Sequence, residues 1–187
     1  MIWDLIIGLG DSLTSGARDE YRRGYPLELQ QMLNEKHKKK FFVVVNEGIV
    51  RQTSSDLLNR AYKTLKSYPE SALVLLMIGT NDAKERVPVP IFRKNLKELI
   101  QLCILFKKRV ILATLPSIKG TGLFDYPIGS QWYVDQYNEI IKKFLYNYEV
   151  AFVDMTPLNK YRIDKVHFDN MGYKAMAEIW MEAIDKL

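Results

Sequence analysis

The chain has 187 residues, 48% of them hydrophobic and 12% aromatic, with 27 basic and 22 acidic side chains giving a formal charge of +5. A chain of this size buries about 70% of its unfolded surface, so it needs neither disulfide nor metal to hold a core, and one domain over residues 1–187 is expected. The composition excludes a disordered chain, the single Cys103 excludes a disulfide scaffold, and no apolar run reaches the roughly 18 residues of a membrane span.

The first predicted element is a strand over 3–8. Asp4 interrupts its apolar start and no basic residue precedes it, so it does not read as a secretory signal, and a cytoplasmic protein is expected. A helix follows over 25–36. The basic run Lys36 to Lys40 falls at its end, where cations suit the helix dipole and meet solvent. With no zinc-finger spacing and no basic stripe interleaved with aromatics, no nucleic-acid partner is expected. Next come a strand over 41–46, a helix over 53–66 and a strand over 72–78. The helix predicted over 90–107 carries Ile91, Leu96, Leu99, Leu102, Cys103 and Phe106 at helical spacing, which predicts one buried face. A strand over 110–114 leads into a long irregular segment, 116–130, rich in glycine and aromatics. A loop of that length is usually functional or mobile. A helix over 131–147, a strand over 150–154 and a helix over 170–186 complete the order, with Asp169 or Asn170 as a cap for the last.

The five strands are nearly continuous in Val, Ile, Leu and Phe, the pattern of strands covered on both faces. Five successive β–α units predict an α/β fold with a parallel sheet and helices on both sides. In such sheets ligands bind beyond the carboxyl ends of the strands. There the sequence reads Gly10-Asp11-Ser12-Leu13-Thr14-Ser15-Gly16, Asn46-Glu47-Gly48, Gly79-Thr80-Asn81-Asp82, Leu115-Pro116 and Asp164-Lys165-Val166-His167.

A serine nucleophile needs a base within hydrogen-bond reach and a group that orients the base. Of the two histidines, His37 stands among lysines, whereas His167 stands on the predicted rim with Asp164 three residues earlier. One turn of helix or 3₁₀ helix puts positions i and i+3 on the same face, so Asp164 can reach one ring nitrogen and leave the other for a serine. Ser12 admits two roles, N-cap of the next helix or nucleophile. Asp11 reads as local structure. Gly48 offers an unobstructed backbone N–H and Asn81 a side-chain amide, either of which serves as a turn residue or as an oxyanion donor.

Together these segments resemble the four sequence blocks of the SGNH (GDSL) hydrolase superfamily: Gly10-Asp11-Ser12-Leu13 followed by Gly16, Asn46-x-Gly48, Gly79-Thr80-Asn81-Asp82, and Asp164-x-x-His167 with Gly172 and Tyr173 beyond. The matches run in family order over residues 8–173. The resemblance implies a three-layer α/β/α, flavodoxin-like domain with a five-stranded parallel sheet. It implies Ser12 as nucleophile, His167 as base and Asp164 as its orienter, with oxyanion donors from the Ser12 and Gly48 N–H groups and the Asn81 side chain. The implied reaction is a two-step acyl transfer on an ester or thioester, with no cofactor. The superfamily includes esterases, thioesterases, lysophospholipases and carbohydrate deacetylases.

One departure stands out. The second block often reads N-x-G-x-x-G, and Arg51 occupies the last position. Arg51 is expected either to shape the substrate pocket or to fold back into a surface ion pair. Tyr25-Pro26 ahead of Leu27 and Leu29 resembles a segment of bacterial thioesterase/arylesterase-like members. Leu123, Phe124 and Tyr126 of the long loop, with Trp132, are expected either to line the acyl pocket or to cover a core face. The competing readings are a flavodoxin-like flavin- or phosphate-binding module without hydrolase activity, a cysteine hydrolase using Cys103, and a catalytically silent binding protein with the hydrolase fold. A dinucleotide fingerprint is broken by Leu13, no G-x-x-x-x-G-K-[ST] loop occurs, and no pair of histidines is spaced to bind a metal.

Overall fold

The computed structural model describes residues 3–21, 23–118, 126–144 and 150–187. Strands β1 (Trp3–Gly10), β2 (Phe41–Gly48), β3 (Leu73–Met77), β4 (Arg109–Ala113) and β5 (Ala151–Val153) form one sheet in the order β2-β1-β3-β4-β5. Every pairing is parallel. The helices are α1 (Ser12–Ser15), α2 (Gly24–Lys36), α3 (Ser54–Ser67), α4 (Thr80–Glu85), α5 (Val89–Leu105), α6 (Ser130–Phe144) and α7 (Asn170–Ile184), with a 3₁₀ turn at Thr156–Tyr161. Helix α2 packs on α7; α3 packs on α5, and α5 on α6. The α/β sheet with helices on both sides is the architecture expected from the sequence.

The strands are apolar throughout because both faces are covered. All five residues of β3 are buried, and Ile7, Leu9, Val74, Leu75 and Ile111 join Leu29, Leu57, Leu99 and Trp180 in one continuous core. Helix starts are fixed by short polar side chains. Thr53 and Asp56 form a capping box at α3, and the Asp169 carboxylate accepts the Gly172 N–H at 2.8 Å at the start of α7.

Three elements were not expected: α1, α4 and the 3₁₀ turn. Each spans one or two turns, too short for a hydrophobic period to register. The buried face of α5 also differs in part. Leu96, Leu99 and Cys103 are buried as expected, but Ile91 is exposed and Phe92 takes the place in the core, stacked at 4.0 Å on Tyr137.

Register sets where the site forms. Gly10 at the end of β1 lies between Gly48 of β2 and Met77 of β3. The turns leaving these three strands therefore emerge side by side. The Arg60 guanidinium on α3 donates to the Glu47 carbonyl at 2.6 Å and the Gly10 carbonyl at 3.4 Å, tying the ends of β1 and β2 together.

Candidate active site

Beyond β1 the Asp11 carboxylate caps α1 by accepting the Leu13 N–H at 3.0 Å, and Ser12 opens that single turn. Gly48 lies directly against it. A Cβ on Gly48 would stand 2.2 Å from the Ser15 nitrogen and 2.8 Å from the Asp11 carbonyl oxygen, so no side chain fits there. Beyond β3, Gly79 takes φ 132°, a backbone that other residues rarely adopt, and turns the chain into α4 with Asn81 in its first turn.

The last loop brings the remaining groups to Ser12. His167 Nε2 lies 3.1 Å from Ser12 Oγ, and His167 Nδ1 lies 2.8 Å from Asp164 Oδ2. The other Asp164 oxygen accepts the Val166 N–H at 2.8 Å and the His167 N–H at 2.7 Å. Burial raises the Asp164 carboxyl, but these N–H bonds and the adjacent imidazole outweigh it, and the group lies below the ordinary aspartate range. The carboxylate is thus held ionised, facing one ring nitrogen, while the other faces the hydroxyl of Ser12, a residue only 7% exposed.

Asn81 is 8% exposed, and its Nδ2 donates one hydrogen to the Gln52 carbonyl at 2.9 Å, which fixes the amide and leaves its second hydrogen available. The Gly48 N–H is engaged: it donates to Asn46 Oδ1 at 3.0 Å. Gly48 packs against the serine turn, does not itself line the cavity beside Ser12, and has its hydrogen held by a side chain two residues away.

That cavity has a volume of about 430 Å³ and is bounded by Ser12, Asn81, Asp164, His167, Arg51 and Tyr126, among others. Six residues singled out in the sequence thus meet on one wall system. Arg51 is exposed, adopts φ 67°, and makes no ion pair among the described residues, unlike the surface pairing expected as one alternative. Its left-handed backbone explains why glycine is common at this position. Leu123 and Phe124 lie outside the described residues. Trp132 does not line the cavity; it is 55% exposed and meets Tyr133 edge-on. Three cations that sequence reasoning passed over also line the cavity: Arg18, Lys84 and Lys165. Each lies within one or two residues of a recognised motif residue, but nothing in local spacing says which way it faces.

Two buried acids stand behind the site. Burial pushes Asp11 up to about 7; the Leu13 N–H opposes this and nearby Asp82 adds to it. Burial likewise pushes Asp82 up to about 6, against hydrogen bonds from the Ser54 hydroxyl at 2.5 Å and the Ser54 N–H at 2.7 Å. Asp82 therefore anchors the start of α3, and Asp11 has the structural part read for it.

The remaining candidates separate cleanly. His37 pairs with Asp185 at 2.8 Å, outside the Ser12 cavity. Cys103 is fully buried on α5, and burial pushes its thiol up to about 12, so the reactive thiolate is suppressed. A wider groove of about 740 Å³ between α5 and α6 is lined by Arg93, Lys97, Glu139 and Phe144 with neighbours, and offers no nucleophile beside a base. Among the described residues no group of three or more His, Cys, Asp or Glu is placed to hold a metal ion, and no helix is long and apolar enough to cross a membrane.

The profile of the GDSL-like Lipase/Acylhydrolase family matches residues 9–175, which include every group of the Ser12 site. The chain belongs to this family. Membership makes it a carboxylic ester hydrolase and sets aside the reading as a flavin module. No curated protein matches the sequence significantly. Among solved structures, an acetylxylan esterase from Geobacillus stearothermophilus is similar at 22% identity and a TM-score of 0.81, over 97% of this chain and 94% of that one. A lipolytic-type protein of the G-D-S-L family from Desulfitobacterium hafniense DCB-2 is similar at 21% identity and a TM-score of 0.77, over 96% and 98%. An alpha/beta hydrolase enzyme from the metagenome of Lake Arreo, Spain, is similar at 20% identity and a TM-score of 0.83, over 97% and 95%. These likenesses establish the shared fold of the GDSL-like hydrolase.

Proposed function

We propose that the protein cleaves esters or thioesters of small acyl groups through an acyl-enzyme on Ser12. The observation that carries this reading is the unbroken relay from Ser12 Oγ through His167 to Asp164, at 3.1 and 2.8 Å. His167 Nε2 takes the Ser12 proton as Oγ attacks the carbonyl carbon. Asp164, held below the ordinary aspartate range, keeps the Nδ1–H tautomer and stabilises the imidazolium that forms. The carbonyl oxygen becomes an oxyanion, stabilised by the Ser12 N–H and the free hydrogen of Asn81 Nδ2. The Gly48 N–H joins them once Asn46 releases it, a small rearrangement of the kind that follows when a stronger acceptor arrives.

His167 then gives its proton to the leaving oxygen or sulfur. Water enters, gives a proton to His167, and attacks the acyl carbon; collapse returns the serine and frees the acid. The cavity of about 430 Å³ lies toward the small end of ligand pockets, which supports a short acyl group. The similar acetylxylan esterase supports the same assignment by its name.

The test is a panel of p-nitrophenyl esters from acetyl to palmitoyl, run alongside acyl-CoA thioesters and acetylated xylooligosaccharides. Turnover is expected to be greatest for acetyl to butyryl and to fall with longer chains. Failure of a folded sample to turn over any member contradicts the proposal, and a maximum at palmitoyl contradicts the short-acyl assignment.

A further inference from the structure

The cavity beside Ser12 is lined by four cations, Arg18, Arg51, Lys84 and Lys165, and by one acid, Asp164. Asp164 bonds His167 and also forms an ion pair with the exposed Arg18 guanidinium at 3.6 Å. Lys84 sits over the Tyr126 ring, its Nζ 5.6 Å from the centroid. Arg51 and Lys165 form no ion pair with an acidic side chain among the described residues. A cleft with one sign of charge and low-dielectric walls concentrates counter-charged ligands.

The two arginines also share a backbone conformation. Arg18 has φ 70° and Arg51 has φ 67°, both in the left-handed region where glycine is free of strain. At both positions the chain carries the longest cationic side chain at the mouth of the site, although the local backbone disfavours any side chain there. Arg86 at φ 56° and Lys107 at φ 58° share this conformation away from the cavity, so the weight rests on the placement of Arg18 and Arg51 at the mouth. Guanidinium groups offer paired, planar donors that match a carboxylate or a phosphate.

We propose that the physiological ester carries an anionic group, a carboxylate or a phosphate, close to the scissile bond, held by Arg51 and Arg18 with Lys84 and Lys165 around it. This substrate class rests on hydrolysis at Ser12 as described above. It sets the protein apart from an esterase built for neutral acetylated sugars, since four like charges gathered around one cleft favour an occupant of the opposite sign.

The test compares matched ester pairs. In the leaving group, 4-acetoxybenzoate is set against 4-acetoxybenzamide, and 4-acetoxyphenyl phosphate against 4-methoxyphenyl acetate, which separates carboxylate from phosphate. In the acyl group, mono-p-nitrophenyl adipate is set against its methyl ester. At low ionic strength the anionic member of at least one pair is expected to show about tenfold higher kcat/KM. That ratio should fall towards one in about 0.5 M salt and fall about threefold or more in Arg51→Gly, a substitution the local backbone accommodates. Ratios at or below one in every pair, or ratios indifferent to both salt and Arg51→Gly, overturn the proposal. Reaction of Ser12 with a fluorophosphonate is measured on the same samples. Labelled enzyme without charge preference overturns the anionic substrate alone; unlabelled enzyme overturns the nucleophile assignment and the substrate class with it.

Discussion

Replacing Asp164 by asparagine is expected to lower kcat for p-nitrophenyl acetate by about 10⁴-fold while the protein stays folded. The loop depends on Asp164 Oδ1, which accepts the Val166 and His167 N–H groups, and an asparagine carbonyl oxygen fills that part. The other side-chain position changes sign. Asp164 Oδ2 accepts a hydrogen from His167 Nδ1, whereas an amide nitrogen there donates one. Nδ1 then becomes the acceptor and Nε2 carries the ring hydrogen. A protonated Nε2 points at Ser12 Oγ across 3.1 Å and cannot take its proton. The imidazolium formed during attack also loses its carboxylate partner. Steady-state kinetics with a melting curve on the same sample is the check. The reduction is expected in kcat, with KM little changed, because the chemical step and not binding is impaired. A loss under about tenfold in a folded variant removes Asp164 from the part assigned to it.

Replacing Asp11 by asparagine is expected to stabilise the protein at alkaline pH and to matter little in acid. The carboxyl is buried, and its second oxygen makes no hydrogen bond. Burial raises it from 3.8 to about 7, with Asp82 adding to the repulsion and the Leu13 N–H opposing. Between those two values the folded chain holds a proton that the unfolded chain has lost. Stability from this group is therefore present at low pH and lost as pH rises from about 4 through 7. The difference between those two values corresponds to about 4 kcal/mol once both states are ionised, an upper bound for the gain on removing the charge. Asparagine keeps the oxygen that accepts the Leu13 N–H, so the cap on α1 survives. Chemical denaturation of the variant and the parent at pH 5 and pH 8 reads the effect as a difference between the two proteins, which cancels the other titrating groups. The gap should widen by a few kcal/mol towards pH 8. An equal gap at both values contradicts an ionised, buried Asp11.

How far the sequence can be read depends on the distance over which each constraint acts. The parallel order of strands follows from alternation along the chain, and the Asp164–His167 contact from a spacing of three residues. Both are local signals. The meeting of Ser12 with His167 across 155 positions was suggested by polar clusters following the strands, which a parallel sheet delivers to one rim, and was implied by the resemblance of those clusters to the four family blocks. Contacts between non-adjacent elements were not legible. Arg60 reaches the Gly10 and Glu47 carbonyls from the first half of α3, and Asp82 fastens the start of that helix, with no motif to announce either. The engagement of the Gly48 N–H by Asn46 is a two-residue turn that a glycine motif does not reveal. The exchange of Ile91 for Phe92 in the core shows how a helical period fixes a stripe but leaves its edge open by one residue. Arg51 shows a different case. Its identity was visible as a departure from glycine, but the left-handed backbone that gives the departure its meaning was not.

The most direct measurement of the central claim is the site of reaction with a fluorophosphonate, mapped by peptide mass spectrometry on folded protein. The account predicts one adduct per chain, on Ser12, and none in Ser12→Ala. A folded protein that stays unmodified, or one modified at another residue while Ser12 remains free, contradicts it.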